Sequence, residues 1–430
     1  MNSCFSKVIR EKSQAYLKSY LEKRNFQHLL LSSTEAVEEA SESADSEVAA
    51  DNLSLSFDSK TYLSDYTDKP HKESFKTRLP LPKVKLAGKL IKEKEIKVYF
   101  LDSSKSILVC PRGKFTTSWE ICNRLGELIG LSPQVQGYFC LWVTESILEL
   151  ALKFNYEPFI VRKHYPETTF RFLRRPIKSS VEPVFVYRRD PFLDKYIEKG
   201  ITDPCAIKLL YDECRFNVLN NRYPISARDV AQLAGLDMQL IFGDWMESTY
   251  SEQFLSQRKI FELIPKFIQA KNDEKTWRSL VSEAHKKYQG KNDVLLIQKL
   301  YIQYCHQFPF YGCSFIYGRI CFDAKYRESK GAINSAFGDF MRVGVNSEGI
   351  FIIDHAKNEL KLHLGYYEFN WQYSDIDKLL YLEFGDLKYF KTLLIMTPQG
   401  ELMEGLILSF MEMQLIRNRI ARGVKENAPK

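Results

Sequence analysis

The hydrophobic period of this chain changes twice, and that order confines it to three successive packing modules. From about residue 94 the apolar residues alternate as strands do. Ile96, Val98 and Phe100 lie on one side, Asp102-Ser103-Ser104 is turn chemistry, and Ile107 to Cys110 resumes an extended run. One helix interrupts this pattern. Thr117-Ser118-Trp119-Glu120 matches a capping box, Ile121, Leu125, Leu128 and Ile129 recur at helical spacing, and Gly130 stands where a C-terminal cap belongs. Extended runs at Tyr138–Val143, Ile147–Leu152 and Thr169–Leu173 predict further strands. From about 190 the period becomes helical. Asp203-Pro204 places an N-cap before a proline at the first helical position, ahead of Ile207, Leu210, Tyr211 and Cys214. Ser226 to Asp229 is a second capping box, leading into Val230, Leu233, Ala234, Met238 and Ile241. Helical faces follow at Trp277, Leu280, Val281 and Ala284, and at Leu296, Leu300, Tyr301 and Tyr304. After Pro309 seven extended runs follow, from Phe310–Ile320 to Leu393–Thr397, and then one helix from Glu401 to about Ile420. Trp245 and Trp277 fall where packing between and within modules is expected.

The length of 430 residues agrees with about three domains. Such a chain buries enough surface to need no disulfide or metal staples. Its nine cysteines form no C-x-x-C pair, and most sit inside apolar runs, so neither a disulfide framework nor a zinc site is expected. The first 90 residues stand apart from the rest. Residues 1–30 carry a helical stripe of Tyr16, Leu17, Tyr20 and Leu21, and the Ser/Glu/Ala tract after it reads as a disordered acidic arm. Residues 32–60 hold eight acids and one base, so removing their charge of −7 from the net +7 leaves +14 on the remainder. That balance suits acidic partners such as anionic lipid or acidic peptide. Charged residues within the first twelve positions argue against a signal peptide, Asn2 excludes N-myristoylation, and no apolar run reaches about 18 residues. A cytoplasmic protein is the expectation.

Three stretches give this layout a family resemblance. Asp212–Tyr223 (DECRFNVLNNRY), Ala231–Trp245 (AQLAGLDMQLIFGDW) and Phe310-Tyr311-Gly312 resemble the middle lobe and the start of the third lobe of FERM domains. The resemblance implies an α+β cloverleaf: a ubiquitin-like lobe (94–180), an acyl-CoA-binding-protein-like helical lobe (190–305), and a PH/PTB-like β-barrel with a C-terminal helix (306–423). Leu141-Trp142-Val143, Leu148-Glu149-Leu150, Phe308 to Cys313, Gly349–Asp354 and Glu368 to Trp371 look most like the iRhom-binding branch of that family. That resemblance implies an adaptor for the cytoplasmic tail of iRhom, peripheral at the cytoplasmic face of the plasma membrane. Its role would be to hold the iRhom–TACE sheddase complex at the cell surface, with a further link to a lipoprotein-receptor-related Wnt co-receptor. The charged actin-binding tail of the ezrin class has no counterpart here, and neither does the acidic arm in the branch it resembles.

The residues themselves point to binding rather than catalysis. There is no G-x-x-x-x-G-K-[ST] or G-x-G-x-x-G motif to cradle phosphate, and the seven histidines show no i, i+4 pairing for a metal. Cys305-His306 are adjacent on a helix end and point in different directions, so they make no dyad. No enzyme, cofactor, metal or nucleic-acid partner is expected. Arg171 to Arg175 reads as a strand with one solvated face. Two binding modes remain. An extended tail can add to the edge strand Phe369, Asn370, Trp371, Gln372, Tyr373, facing Leu408, Glu412 and Leu415 on the last helix; alternation alone leaves open which way Trp371 points. Alternatively Arg174, Arg175, Lys178, Arg188 and Arg189 form a phosphoinositide patch. A Rap-type GTPase binder of the Krev-interaction-trapped class is the remaining family alternative, although that class carries ankyrin repeats and no such period occurs here.

Overall fold

A computed structural model of the chain describes residues 92–174, 182–247, 259–321, 337–385 and 390–426, together with two-residue strand pieces at 75–76, 85–86 and 89–90; side chains of the last helix are described as far as Leu415. The acidic tract and the Tyr16/Leu17/Tyr20/Leu21 stripe lie outside the described residues.

The first lobe opens with β1 (Lys94–Tyr99) and β2 (Lys105–Cys110), paired antiparallel across a turn in which Asp102 Oδ1 accepts from the Ser104 amide at 2.9 Å. Helix α1 (Ser118–Ile129) begins as its sequence dictates. Thr117 accepts from the Glu120 amide, Glu120 accepts from the Thr117 amide at 2.8 Å, and Gly130 ends the helix at φ +79°. Strands β3 (Phe139–Glu145), β4 (Leu148–Ala151) and β5 (Val184–Arg189) complete a sheet of order β2-β1-β5-β3-β4, with β5 parallel to β1. Phe75–Lys76 adds a parallel pair beside β2.

The expected strand at Thr169–Leu173 is instead the end of α2 (Tyr165–Leu173). Tyr165 and Thr169, one helical turn apart, are buried, whereas Phe170 is exposed. The Thr169 hydroxyl donates to the Pro166 carbonyl at 2.9 Å, so a β-branched residue is held inside the helix by its own turn. The alternating look of Thr-Phe-Arg-Phe-Leu was a coincidence of aromatic and charged residues.

The second lobe is helical: α3 (Pro204–Leu219), α4 (Ala227–Phe242), α5 (Glu274–Lys286) and α6 (Val294–Cys305). Asp203 caps α3 and also accepts from the Ser132 amide at 2.9 Å, tying the helix start to the first lobe. Gly235 lets α4 and α5 approach so closely that a Cβ there would lie 2.8 Å from Ala284 Cβ. Trp277 is fully buried in this lobe's own core, its indole donating to the Gln269 carbonyl at 2.9 Å. Trp245 also stays within the lobe, half-buried and bonded to Ser282 at 2.9 Å.

The third lobe contains β6 (Ser314–Cys321), β7 (Phe337–Asn346), β8 (Gly349–Asp354), β9 (Glu359–Leu364), β10 (Phe369–Ser374), β11 (Leu379–Gly385) and β12 (Phe390–Met396), then α7 (Gly400–Glu426). The strands form one antiparallel sheet of order β9-β8-β7-β6-β12-β11-β10. All six residues of β8 are buried. Ile350 and Ile352 enter the core under α7, whereas Phe351 and Ile353 join a cluster continuous with the first two lobes. β6 divides in the same way, Ile316 inward and Phe315 and Tyr317 toward the other lobes. A strand buried on both faces makes the third lobe part of a common core. Phe351→Ala should therefore cost about 3–5 kcal/mol and lower the melting of the whole described body in one transition. A calorimetric scan that leaves a helical fragment melting at the wild-type temperature would show the lobes to be independent.

Candidate functional site

Two sites were expected from the sequence, and the structure treats them differently. At the first, β10 stands at the edge among the described strands and pairs with β11, in register from Phe369↔Phe384 to Ser374↔Leu379. Phe369 and Trp371 turn inward, buried in the core under α7 with ring centroids 5.8 Å apart. Asn370 is half-buried, Gln372 is exposed, and Tyr373 is half-buried at the strand's end. Helix α7 starts directly against that ring, since a Cβ on Gly400 would collide with the Tyr373 ring carbons. On α7, Leu408 is buried, Leu415 is half-buried and Glu412 is exposed. Phe369, Trp371 and Leu408 are thus core residues rather than free docking contacts, because one helix must close the whole concave face of the sheet. The accessible rim is Asn370, Gln372, Glu412 and Leu415.

The second site does not form a surface. Arg174 is exposed at the left-handed cap of α2, and Arg175 and Lys178 lie outside the described residues. Arg188 and Arg189, only 5% and 6% exposed, are corrected from surface bases to buried ones. Arg188, at the end of β5, donates to both Glu213 oxygens at 3.1 and 2.7 Å and to Glu149 at 3.2 Å, with its guanidinium 4.7 Å above the Trp142 ring. Arg222 grips the other side of Glu149 with two hydrogen bonds, one at 2.8 Å, and covers the Phe315 ring at 4.9 Å. Arg189 pairs with Glu198, and that carboxylate accepts from the Tyr311 hydroxyl at 2.7 Å and faces His306 Nε2 at 2.8 Å. Gly312, at φ +69°, packs against the Arg189 guanidinium, where a Cβ would come within 3.0 Å of Nη1. Buried guanidiniums need partners, and here each finds them on another element.

The electrostatics of this cluster are those of a brace. Burial alone would raise the Glu149 carboxyl, but Arg222 and Arg188 outweigh it and hold the pKa at about 2. Burial likewise opposes Arg188 at Glu213 and Arg189 at Glu198, and both carboxyls are held below their ordinary value. These groups stay ionised at neutral pH, each engaged by a buried guanidinium. Burial pushes the Cys305 thiol well up, and His306 turns to Glu198 rather than to Cys305. Among the described residues no group of three His, Cys, Asp or Glu is placed to hold a metal ion, and no helix is long and apolar enough to cross a membrane. The sequence reading missed Glu149, Glu198, Glu213 and Arg222. Their signal was present as charge within otherwise apolar stretches, such as Glu149 between Leu148 and Leu150.

Residues 197–315 match the family model of the FERM central domain, and 341–406 match that of the KRIT1/FRMD8 FERM domain C-lobe. FERM domain-containing protein 8 of Xenopus tropicalis is 26% identical over 340 residues, covering 73% of this chain and 74% of that protein. Its Homo sapiens counterpart is 25% identical over 342 residues, covering 73% and 72%. Among solved structures, the human Myosin 7b C-terminal MyTH4-FERM domain, bound to a harmonin-a PDZ3 domain, shares the fold with a TM-score of 0.56 at 17% identity. That match covers 75% of this chain and 60% of the myosin fragment.

The brace carries a pH signature. Because the Glu149 pKa is depressed in the folded chain, its stabilising contribution is complete above about 4.3, the ordinary glutamate value, and is lost as pH falls toward 2. Glu149→Gln should cost about 3–5 kcal/mol at pH 7 by leaving buried guanidiniums short of a partner. In denaturant titrations the gap between the variant and the parent should shrink steadily below pH 4. A gap that is constant with pH would mean that the carboxylate charge contributes nothing.

Proposed function

We propose that this chain, a FERM-domain protein similar to FERM domain-containing protein 8, is a non-enzymatic adaptor whose third lobe receives the cytoplasmic tail of a membrane protein as an added strand on β10. The observation that carries this reading is the edge position of β10, which among the described strands pairs with β11 and runs beside α7. The edge strand of a sheet is a template for an extended peptide, and the alternating side chains of its rim select among sequences. By resemblance the tail is that of an iRhom, and the consequence of binding is to keep the iRhom–TACE sheddase complex at the cell surface. Restraint of Wnt co-receptor signalling is a second role of the same adaptor. The proposed lobe boundaries are 94–180 carried on to 189 by β5, then 190–305 and 306–423, with 1–90 as an accessory arm, and the place of action is the cytoplasmic face of the plasma membrane.

The burial of Leu408 decides how the groove is to be tested. An aspartate at that position would disrupt the core, and any loss of binding would follow from unfolding. Gln372→Arg with Glu412→Arg instead changes two exposed rim positions. The double variant should keep the melting temperature of the parent and bind an iRhom tail peptide about thirtyfold more weakly, the loss expected of a hot-spot contact. Wild-type affinity in the folded double variant, measured by calorimetry, would place the tail elsewhere on the domain.

A further inference from the structure

The connection from the first lobe to the second holds a five-residue helix, Lys195–Lys199, at the seam of all three lobes. Asp194 caps it by accepting from the Tyr196 amide at 2.7 Å. Lys195 donates to Glu348 and, at 3.5 Å, to the Phe308 carbonyl, and Glu198 is the buried carboxylate that pairs with Arg189. The Tyr196 side chain does none of this. It is 82% exposed, whereas no other described aromatic passes 44%. Its hydroxyl has no hydrogen-bond partner among the described residues. The cap uses only the Tyr196 main chain, so a small polar side chain would serve the helix equally well. A large apolar ring held in water gains the fold nothing. What the position offers is a phenol oxygen presented to solvent on a short, fixed element.

The charges around that oxygen suit a phosphate. Lys199 lies one turn on, exposed, with its ammonium 5.4 Å over the Tyr196 ring. The nearby carboxylates are already engaged: Asp194 by the helix cap, Glu198 by Arg189 and Glu348 by Lys195. Phosphorylation of a tyrosine adds about 1.5 to 2 negative charges and three strong acceptor oxygens. Lys199 can meet them by turning from the face of the ring to its oxygen.

We propose that Tyr196 is a phosphorylation site, modified by a tyrosine kinase and held in its phosphorylated form by Lys199. The γ-phosphorus of ATP bonds to the phenol oxygen as its bond to the β,γ-bridging oxygen breaks. ADP leaves, and the phenolic proton passes to the aspartate base of the kinase. The new anion stands next to Lys195, which ties this helix to Glu348 of the third lobe, and competes for it. Modification thus acts on the seam between the lobes. This goes beyond the adaptor reading and uses none of its residues.

The test treats the folded full chain with MgATP and a panel of recombinant tyrosine-kinase catalytic domains, and follows each tyrosine by mass spectrometry at low conversion. Tyr156 and Tyr367, 38% and 37% exposed, are the internal controls. Tyr196 should be modified at least about tenfold faster than either, since those two must first open locally. Tyr196→Phe should melt with the parent, lose this phosphate and leave the other sites unchanged. In phosphorus NMR the Tyr196 phosphate should titrate below its ordinary value of about 6 and move up toward it in Lys199→Gln. Modification of Tyr196 no faster than of Tyr156 and Tyr367 by every kinase of the panel would overturn the proposal. So would modification of a synthetic peptide spanning Asp190 to Gly200 when Tyr196 of the folded chain is left untouched. A phosphate that titrates identically in the parent and in Lys199→Gln would overturn the role of the lysine.

Discussion

Arg188 and Arg189 are the point on which the three lobes are assembled. They end the last strand of the first lobe, and their charges are met by Glu149 of the same lobe, by Glu213 on α3, and by Glu198 on the connection into the second lobe. Tyr311 and Phe315 bring the third lobe to the same place, through a hydrogen bond to Glu198 and the face beneath Arg222. A buried network of this kind adds little net stability over an apolar contact of equal shape. Its effect is on alternatives: any arrangement that separates the lobes leaves a guanidinium or a carboxylate buried without a partner, or forces water into the junction. The network penalises misassembly more than it rewards assembly.

That brace explains why strands can be buried on both faces. β8 and β6 supply one set of side chains to the core under α7 and the alternate set to the cluster shared with the first two lobes. With the outer face of those strands covered, the edges of the sheet among the described residues are at β9 and β10. An edge that must remain unpaired is a hazard unless its side chains are unattractive. On β10 this is met by turning Phe369 and Trp371 inward and presenting polar Asn370 and Gln372, half-buried and exposed, on the other side.

Much of this architecture was legible in local chemistry. The capping boxes at Thr117 and Ser226, the Asp203-Pro204 start and the Gly130 stop each depend on neighbours within four residues, so sequence reads them directly. What could not be read depends on distant partners. Arg188 and Arg189 look like surface charge until Glu213 and Glu198 are brought beside them. Leu408 looks available until the sheet is seen to have a single closing helix. Residues 169–173 carry strand-favouring types, and only the burial of Tyr165 and Thr169 one turn apart reveals the helix. The edge-to-face meeting of Trp119 with Phe154 was hidden for the same reason. Trp119 was read as part of a capping sequence, and nothing local connects it with a loop some 35 residues away.

The stretch from Thr397 to Glu401 adds a further constraint. The Gln399 side chain donates to the Ile147 carbonyl of the first lobe at 3.3 Å and accepts from the Tyr317 amide of β6 at 3.2 Å. Glu401 pairs with Arg171 of α2 at 2.5 Å, an exposed contact that contributes little alone. Between them Gly400 rests on the Tyr373 ring at the end of β10. The start of α7 is therefore held at once to the open edge of the third lobe and to the hairpin between β3 and β4 of the first. A tail lying along β10, as the adaptor reading has it, would then meet the third lobe with the first lobe held against it, because both are tied to the start of α7.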